Sequence, residues 1–230
     1  MRMKRCVVIG LGNFGMNIAR TMAENGVEVL GIDADRVMVE RAKDILAHGV
    51  IADASNRSAL ASLSLADFDA AVVSIGQEMA ASILISLYLK EIGVRRIVVR
   101  AISDDHEKIL KMIGVSDIIF PEKDMATRVG MMLSMRNTLD FLPLAKGYAI
   151  MEVNPPKSFI GKSLKDLAVS TRFGCYIIGL RLMSKSTNII GTDNVVDTIM
   201  APPADTVIPE GYVLIVLGKV SDIDRIQSLD

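Results

Sequence analysis

Along residues 5 to 120, short β-branched and aliphatic runs alternate with stretches whose apolar positions recur every three or four residues. The runs are RCVVI, VEVLGI, GVIAD, AAVVSI, RIVVR and DIIF, too continuously apolar to leave one face wet. Between them Phe14, Ile18 and Met22, then Val37, Arg41 and Ile45, then Ile83, Leu84 and Leu87, then Ile109, Leu110 and Ile113 mark helix faces. Strands covered on both faces and joined by helical crossovers predict a parallel, doubly wound α/β sheet.

Near Pro121 the pattern changes. PEKDMATRVGMMLSMRN predicts a helix opening at proline, with Met125, Val129, Met132 and Arg136 on one stripe and Met131 and Met135 beside it. No strand follows that needs a crossover there, so the expectation is a helix that docks on another subunit or domain, where flexible thioethers suit an irregular partner. Beyond LPLAKGY, strand-like YAIMEV, CYIIGLRL and YVLIVLG are separated by turns at NPPKS, SKSTN and APPAD. A helical turn at KSLKDLA has Ser163 as cap, answered by Asp166. The expected organisation is a Rossmann-like doubly wound domain over 1–138, a linker at 139–147 and a smaller α+β domain over 148–230. The stretch STNIIGTDNVVDTIMAPPAD is longer than a strand connection needs and reads as a local insertion.

Composition narrows the function classes. With 26 basic and 27 acidic residues in 230, the net charge of -1 offers no field that gathers nucleic acid or an anionic membrane. Mean hydropathy is +0.38, yet every apolar run is broken before the roughly 18 residues of a membrane span. The apolar run behind Arg2, Lys4 and Arg5 stops at Gly10 and Gly12, too short for a secretory signal, so a cytoplasmic location is expected. Cys6 and Cys175 sit in separate strand-like runs, which fits buried free thiols.

The candidate chemistry lies at the first strand's end. Gly10, Gly12 and Gly15 form G-x-G-x-x-G between a strand and a helix, the frame in which that spacing has physical meaning. Gly10 permits the tight turn, Gly12 lets backbone approach a pyrophosphate, and Gly15 lets helix and strand pack closely. The helix N-terminus then aims free N–H groups at the anion. Asp33 ends the second strand, where an acid meets the ribose hydroxyls, and this argues against a 2'-phosphate despite nearby Arg36. Asp53 and Ser55 close the third strand and Ser74, Ile75 and Gly76 the fourth, at the edge where such sheets bind ligands. For Asp53 and Ser55 the alternative is ordinary helix capping. A dehydrogenase also needs a proton-transfer group. The chain has only His48, ahead of a strand, and His106, opening a polar helix, both expected at the surface. No enzyme is expected, although an NAD-dependent oxidoreductase remains an alternative.

The runs VIGLGNFGMNIARTMAENGVEVLGIDAD, VIADAS, AAVVSIGQEMAASILISLYLKEIGV, RIVVRA and IIFPEKDM, in that order, resemble the RCK (KTN) nucleotide-binding domain of Ktr and Trk potassium-uptake regulatory subunits. PPKSFIGKSLKDLAV and ADTVIPEGYVLIVLG are similar to the companion RCK C-terminal domain. The resemblance implies a cytosolic homodimer, commonly assembled into an octameric ring beneath a membrane potassium channel or transporter, that binds ATP, ADP or NAD(H) and gates the pore. A sensor for a different transporter is the other alternative. Carried over, Gly10, Leu11, Gly12, Asn13, Phe14 and Gly15 hold the phosphates, and Asp33 holds ribose with Ala34, Asp35 and Arg36 beside it. Asp53 and Ala54 flank adenine, Ser74, Ile75 and Gly76 form the opposite wall, and Arg100 faces phosphate. Glu122 matches an acid that helps bind a divalent or monovalent cation near the nucleotide. Many ATP-responsive members carry Arg where this chain has Asn13, and its loss shifts the expectation toward ADP, AMP or NAD(H). Some relatives bind cyclic di-AMP in the C-terminal domain, where Ile178, Arg181 and Asn188 are the matching candidates.

Overall fold

A computed structural model describes residues 4–76, 78–134, 138–183 and 195–229. The chain divides into two compact units, Met1–Pro121 and Glu122–Asp230.

In the first unit β1 (Arg5–Ile9), α1 (Asn13–Glu24), β2 (Glu28–Asp33), α2 (Arg36–Ala42) and β3 (His48–Ile51) build one half of a sheet. Next come α3 (Arg57–Ala61), β4 (Ala70–Val73), α4 (Met79–Ile92), β5 (Ile97–Arg100), α5 (Asp104–Ile113) and β6 (Asp117–Ile119). All six strands pair in parallel in the order β3-β2-β1-β4-β5-β6. Central β1 is buried on both faces, as its unbroken apolar run requires: Val8 packs in a cluster with Ala19, Val39 and Ala42 from α1 and α2, and Val7 and Ile9 pack with Leu60, Ile85, Leu89 and Leu110 from α3, α4 and α5. Strand order reverses between β1 and β4, so a crevice opens at their carboxyl ends. His106, expected at the surface, is fully buried. The Ser103 hydroxyl caps α5 by accepting from the His106 amide, and this sets His106 one turn before buried Leu110 on the inward face.

The helix α6 (Pro121–Ser134) begins at the last residue of the first unit, and the second unit continues with β7 (Thr138–Ala145), β8 (Tyr148–Val153), α7 (Leu164–Leu167), α8 (Val169–Phe173), β9 (Tyr176–Met183), β10 (Val195–Met200), β11 (Tyr212–Lys219) and α9 (Val220–Gln227). The helix starts at proline as expected and has no buried residue; its Met132 packs against the second core. Met135 and Arg136 lie outside the described residues. Of residues 139–147, expected as a linker, 139–145 instead belong to β7, the edge of a five-stranded antiparallel sheet ordered β10-β9-β11-β8-β7, and 146–147 form the turn into β8. Pro143 has no N–H to give to a ladder, which fits its place on an edge strand, and the register shifts beside that residue. The division therefore falls at Pro121 rather than after residue 138. The stretch read as an insertion likewise contributes β10 to the sheet. Alternation puts Met151, Val153, Leu180, Leu214 and Val216 against Phe159, Leu167, Ile223 and Ile226 in one core. Ser163 caps α7 as expected, its Oγ accepting from the Asp166 amide and donating to the Asp166 carboxylate.

Candidate functional site

The glycine turn sits between β1 and α1 at the crevice. Gly10 adopts φ +89°, open to glycine at no steric cost, and its amide donates to the Ile32 carbonyl at 2.8 Å. A Cβ on Gly15 would strike the Gly10 carbonyl oxygen, so helix and strand meet there only through glycine. Ser74 Oγ donates to that same carbonyl at 2.5 Å and ties β4 to the turn. Gly12 contrasts with both: a Cβ on it meets nothing within 4 Å. It precedes α1, has no side-chain cap, and the first helical turn carries no acid. The free N–H groups of a 12-residue helix thus face an open approach, the electrostatic condition for holding an anion.

Around the turn lies a cleft of about 700 Å³, a size ordinary for cofactor sites. Asp33 bounds it on the β2 side, where its carboxylate accepts from the Leu11 amide at 2.6 Å and the Asp35 amide at 2.8 Å. That carboxylate therefore fixes the turn as well as offering lone pairs to a ligand. Asp53 and Ala54 bound the third-strand side. The Ser55 hydroxyl and amide, at 2.7 Å and 2.9 Å, hold the Asp53 carboxyl below the usual carboxylate range. Neither residue caps α3; Asn56 does, accepting from the Ser58 amide. From β5, Arg100 lays its guanidinium 5.6 Å from the centre of the Phe14 ring, at the first turn of α1. Gly76 makes room for it, since a Cβ there would stand 2.5 Å from Nη1.

Of the sequence candidates, Gly10, Gly12, Asp33, Ala34, Asp53 and Ala54 line the cleft, as do Ser74, Ile75, Gly76 and Arg100. Leu11 is buried and acts through its amide, and Asn13 is exposed on α1. Asp35 caps α2 by accepting from the Val37 amide, while Arg36 is an exposed residue 4.0 Å from Glu40. Glu78 was missed, although it also lines the cleft. Its only signal was position just past the fourth strand. Ile9, Ile32 and Ile85 supply an apolar floor that reads in sequence as ordinary core. The donors, the open glycine and the cleft volume together fit an adenine nucleotide.

In the second unit Ile178 and Arg181 lie on β9, and Asn188 falls outside the described residues. Arg181 is engaged rather than solvated: it pairs with Glu152 on β8, reaching across β11. Burial pushes the Glu152 carboxyl up, opposed by the Arg181 charge. Arg128 of α6 grips Asp140 of β7 through two bonds of 2.6 Å on the same sheet. Glu122 is exposed in the first turn of α6, and among the described residues no three His, Cys, Asp or Glu side chains cluster to hold a metal ion. No helix among them is long and apolar enough to cross a membrane.

Comparison with known proteins gives a consistent result over the whole chain. The TrkA-N domain model matches residues 6–121 and the TrkA-C domain model residues 148–229. The chain is 38% identical to Ktr system potassium uptake protein C of Bacillus subtilis, covering 97% of this chain and 96% of that protein. It is 32% identical to Ktr system potassium uptake protein A of Vibrio alginolyticus over 98% of each. Among solved structures, the GsuK channel aligns with 99% of this chain and 39% of its own at a TM-score of 0.68 and 14% identity. The NAD-bound GsuK channel aligns with the same shares at 0.64 and 15%, a likeness of fold.

Proposed function

This chain belongs to the family that joins a TrkA-N domain to a TrkA-C domain, and from that premise we propose that it is a cytosolic, nucleotide-sensing regulatory subunit of a potassium-uptake system. The relatives it spans almost end to end are named for Ktr potassium uptake, and this supports a membrane potassium channel or transporter subunit as its partner. The observation that carries the sensing role is the pairing of an uncapped α1 N-terminus with an open Gly12 beside Asp33. Phosphates rest on the glycine turn and Arg100, ribose on Asp33, and adenine beside Asp53 and Ala54. Neither histidine lines the cleft, which supports a ligand read by binding rather than turned over.

The ligand is an adenine nucleotide, with ADP and NAD(H) favoured over ATP because Asn13 offers no charge to a terminal phosphate. Copies of the chain pair as homodimers and close into a ring, probed through its size and shape. A cation at Glu122 needs oxygens beyond that one carboxylate, since among the described residues no three His, Cys, Asp or Glu side chains cluster to hold one. Cyclic di-AMP at Ile178, Arg181 and Asn188 must compete with Glu152 for the Arg181 guanidinium. Calorimetry of ADP, ATP, NADH and cyclic di-AMP, combined with potassium flux in vesicles holding the partner, tests the reading. Binding of an adenylate that changes flux without its consumption is expected; indifference to every adenylate, or turnover with a co-substrate, overturns it.

A further inference from the structure

The cleft is charged unevenly. Asp33, Asp53 and Glu78 line it against one guanidinium, Arg100. Two of those carboxylates are answered locally, Asp33 by the Leu11 and Asp35 amides and Asp53 by Ser55. Glu78 is different. It is exposed at the start of α4, its side chain caps nothing, and its carboxylate forms no hydrogen bond or ion pair among the described residues. Gly76, two residues earlier, is the residue against which the Arg100 guanidinium rests, beside Phe14 and the anion-facing end of α1. Backbone geometry keeps the Cα atoms of Gly76 and Glu78 within about 7 Å. An unanswered negative charge thus stands next to the place where a ligand's phosphates gather.

From this we infer that Glu78 sets the charge class of the nucleotide, favouring an adenine dinucleotide with its two-phosphate bridge over a triphosphate free of divalent cation. The inference rests on the reading of this cleft as an adenine-nucleotide site. Each added phosphate charge meets repulsion from Glu78, with only Arg100 among the lining side chains to offset it. Because Glu78 is exposed, solvent and salt weaken the effect to about 1.5-fold per net ligand charge, but the sign is fixed.

The test is calorimetry on the full chain with NAD+ and with ATP in excess chelator, at low and at physiological ionic strength. Wild type binds NAD+ more tightly than bare ATP. Glu78→Gln tightens ATP about fivefold at low salt and moves NAD+ less than about twofold, and the ATP gain shrinks as salt rises. Glu78→Lys enlarges the ATP gain. Glu24→Gln, which removes an exposed carboxylate at the last turn of α1, changes neither ligand. Matching urea midpoints for all variants exclude a folding cause. An equal change in both ligands, or none in ATP, overturns the role of Glu78 while leaving the nucleotide site standing. Failure of wild type to bind either ligand overturns the nucleotide reading itself and the inference with it.

Discussion

A methyl group added to Gly15 would strike the Gly10 carbonyl oxygen and stand 2.5 Å from Ser74 Oγ, whereas one added to Gly12 meets nothing within 4 Å. Backbone cannot swing aside like a side chain, so Gly15→Ala costs about 1–3 kcal/mol of stability, measured by urea unfolding. Gly12→Ala keeps the wild-type midpoint yet binds nucleotide at least about tenfold more weakly by calorimetry, because the methyl occupies the approach. If both variants lose stability alike, the division of labour within the turn is wrong. His106 yields a second residue-scale expectation. It is fully buried, and burial pushes its pKa down, so the folded chain keeps it neutral where the unfolded chain takes up a proton. Below about pH 6.5 the unfolded state binds the extra proton, and stability falls as pH drops. Between about pH 7.5 and about pH 5.5, wild type therefore loses up to about 1.4 kcal/mol more than His106→Leu in urea titrations. The glycines and Asp33 were legible in sequence because their spacing is local to one strand, turn and helix. Glu78 enters the cleft through topology, which leaves no periodic trace, whereas His106 stands one turn ahead of Leu110 and Ile113 on the apolar stripe, and its polar side chain masked a position the spacing already placed inward.

At the scale of elements, the six parallel strands announced themselves because a strand buried on both faces must be apolar throughout. The antiparallel sheet was half hidden. β7 carries Asp140 and Pro143 and ends in exposed Leu144 and Ala145, the composition of a connector, and only its pairing with β8 makes it a strand. The charges on this sheet also have an energetic meaning that sequence cannot supply. Glu152 keeps 12% of its side-chain surface and Arg181 24%, so each ion relies on the other more than a surface pair does. Removing one ion strands its mate: Arg181→Met costs about 2 kcal/mol in urea unfolding, and adding Glu152→Leu recovers most of that loss. A double variant no more stable than the single one would show that Arg181 works through its aliphatic stem instead.

For the whole molecule, the cleft residues all lie in the first unit, while a regulatory subunit must report beyond it. Nucleotide contacts made in one arrangement of the assembly and not the other bias a two-state equilibrium, and nothing else about tight binding does. Driving such an equilibrium from one side to the other takes about 5.5 kcal/mol of differential affinity. In the proposed ring, each copy's site need supply only part of that difference. The methionine-bearing α6 begins where the first unit ends, and Met132 packs in the second core, so its sequence position suits it to pass on the bias. Hydrogen exchange on the intact chain tests this. At a hundredfold excess over Kd, nucleotide stabilises the state that binds it by about 2.7 kcal/mol. Amides of β1, β2 and β4 that exchange through unfolding of the first unit gain protection on that scale. Those of β8, β9 and β11 stay unchanged, and α6 shifts measurably even though its residues after Pro121 lie outside the unit that holds the ligand. Protection that stops at Pro121 would mean that α6 does not carry the signal and that any proposed assembly senses nucleotide through the surface of the first unit alone.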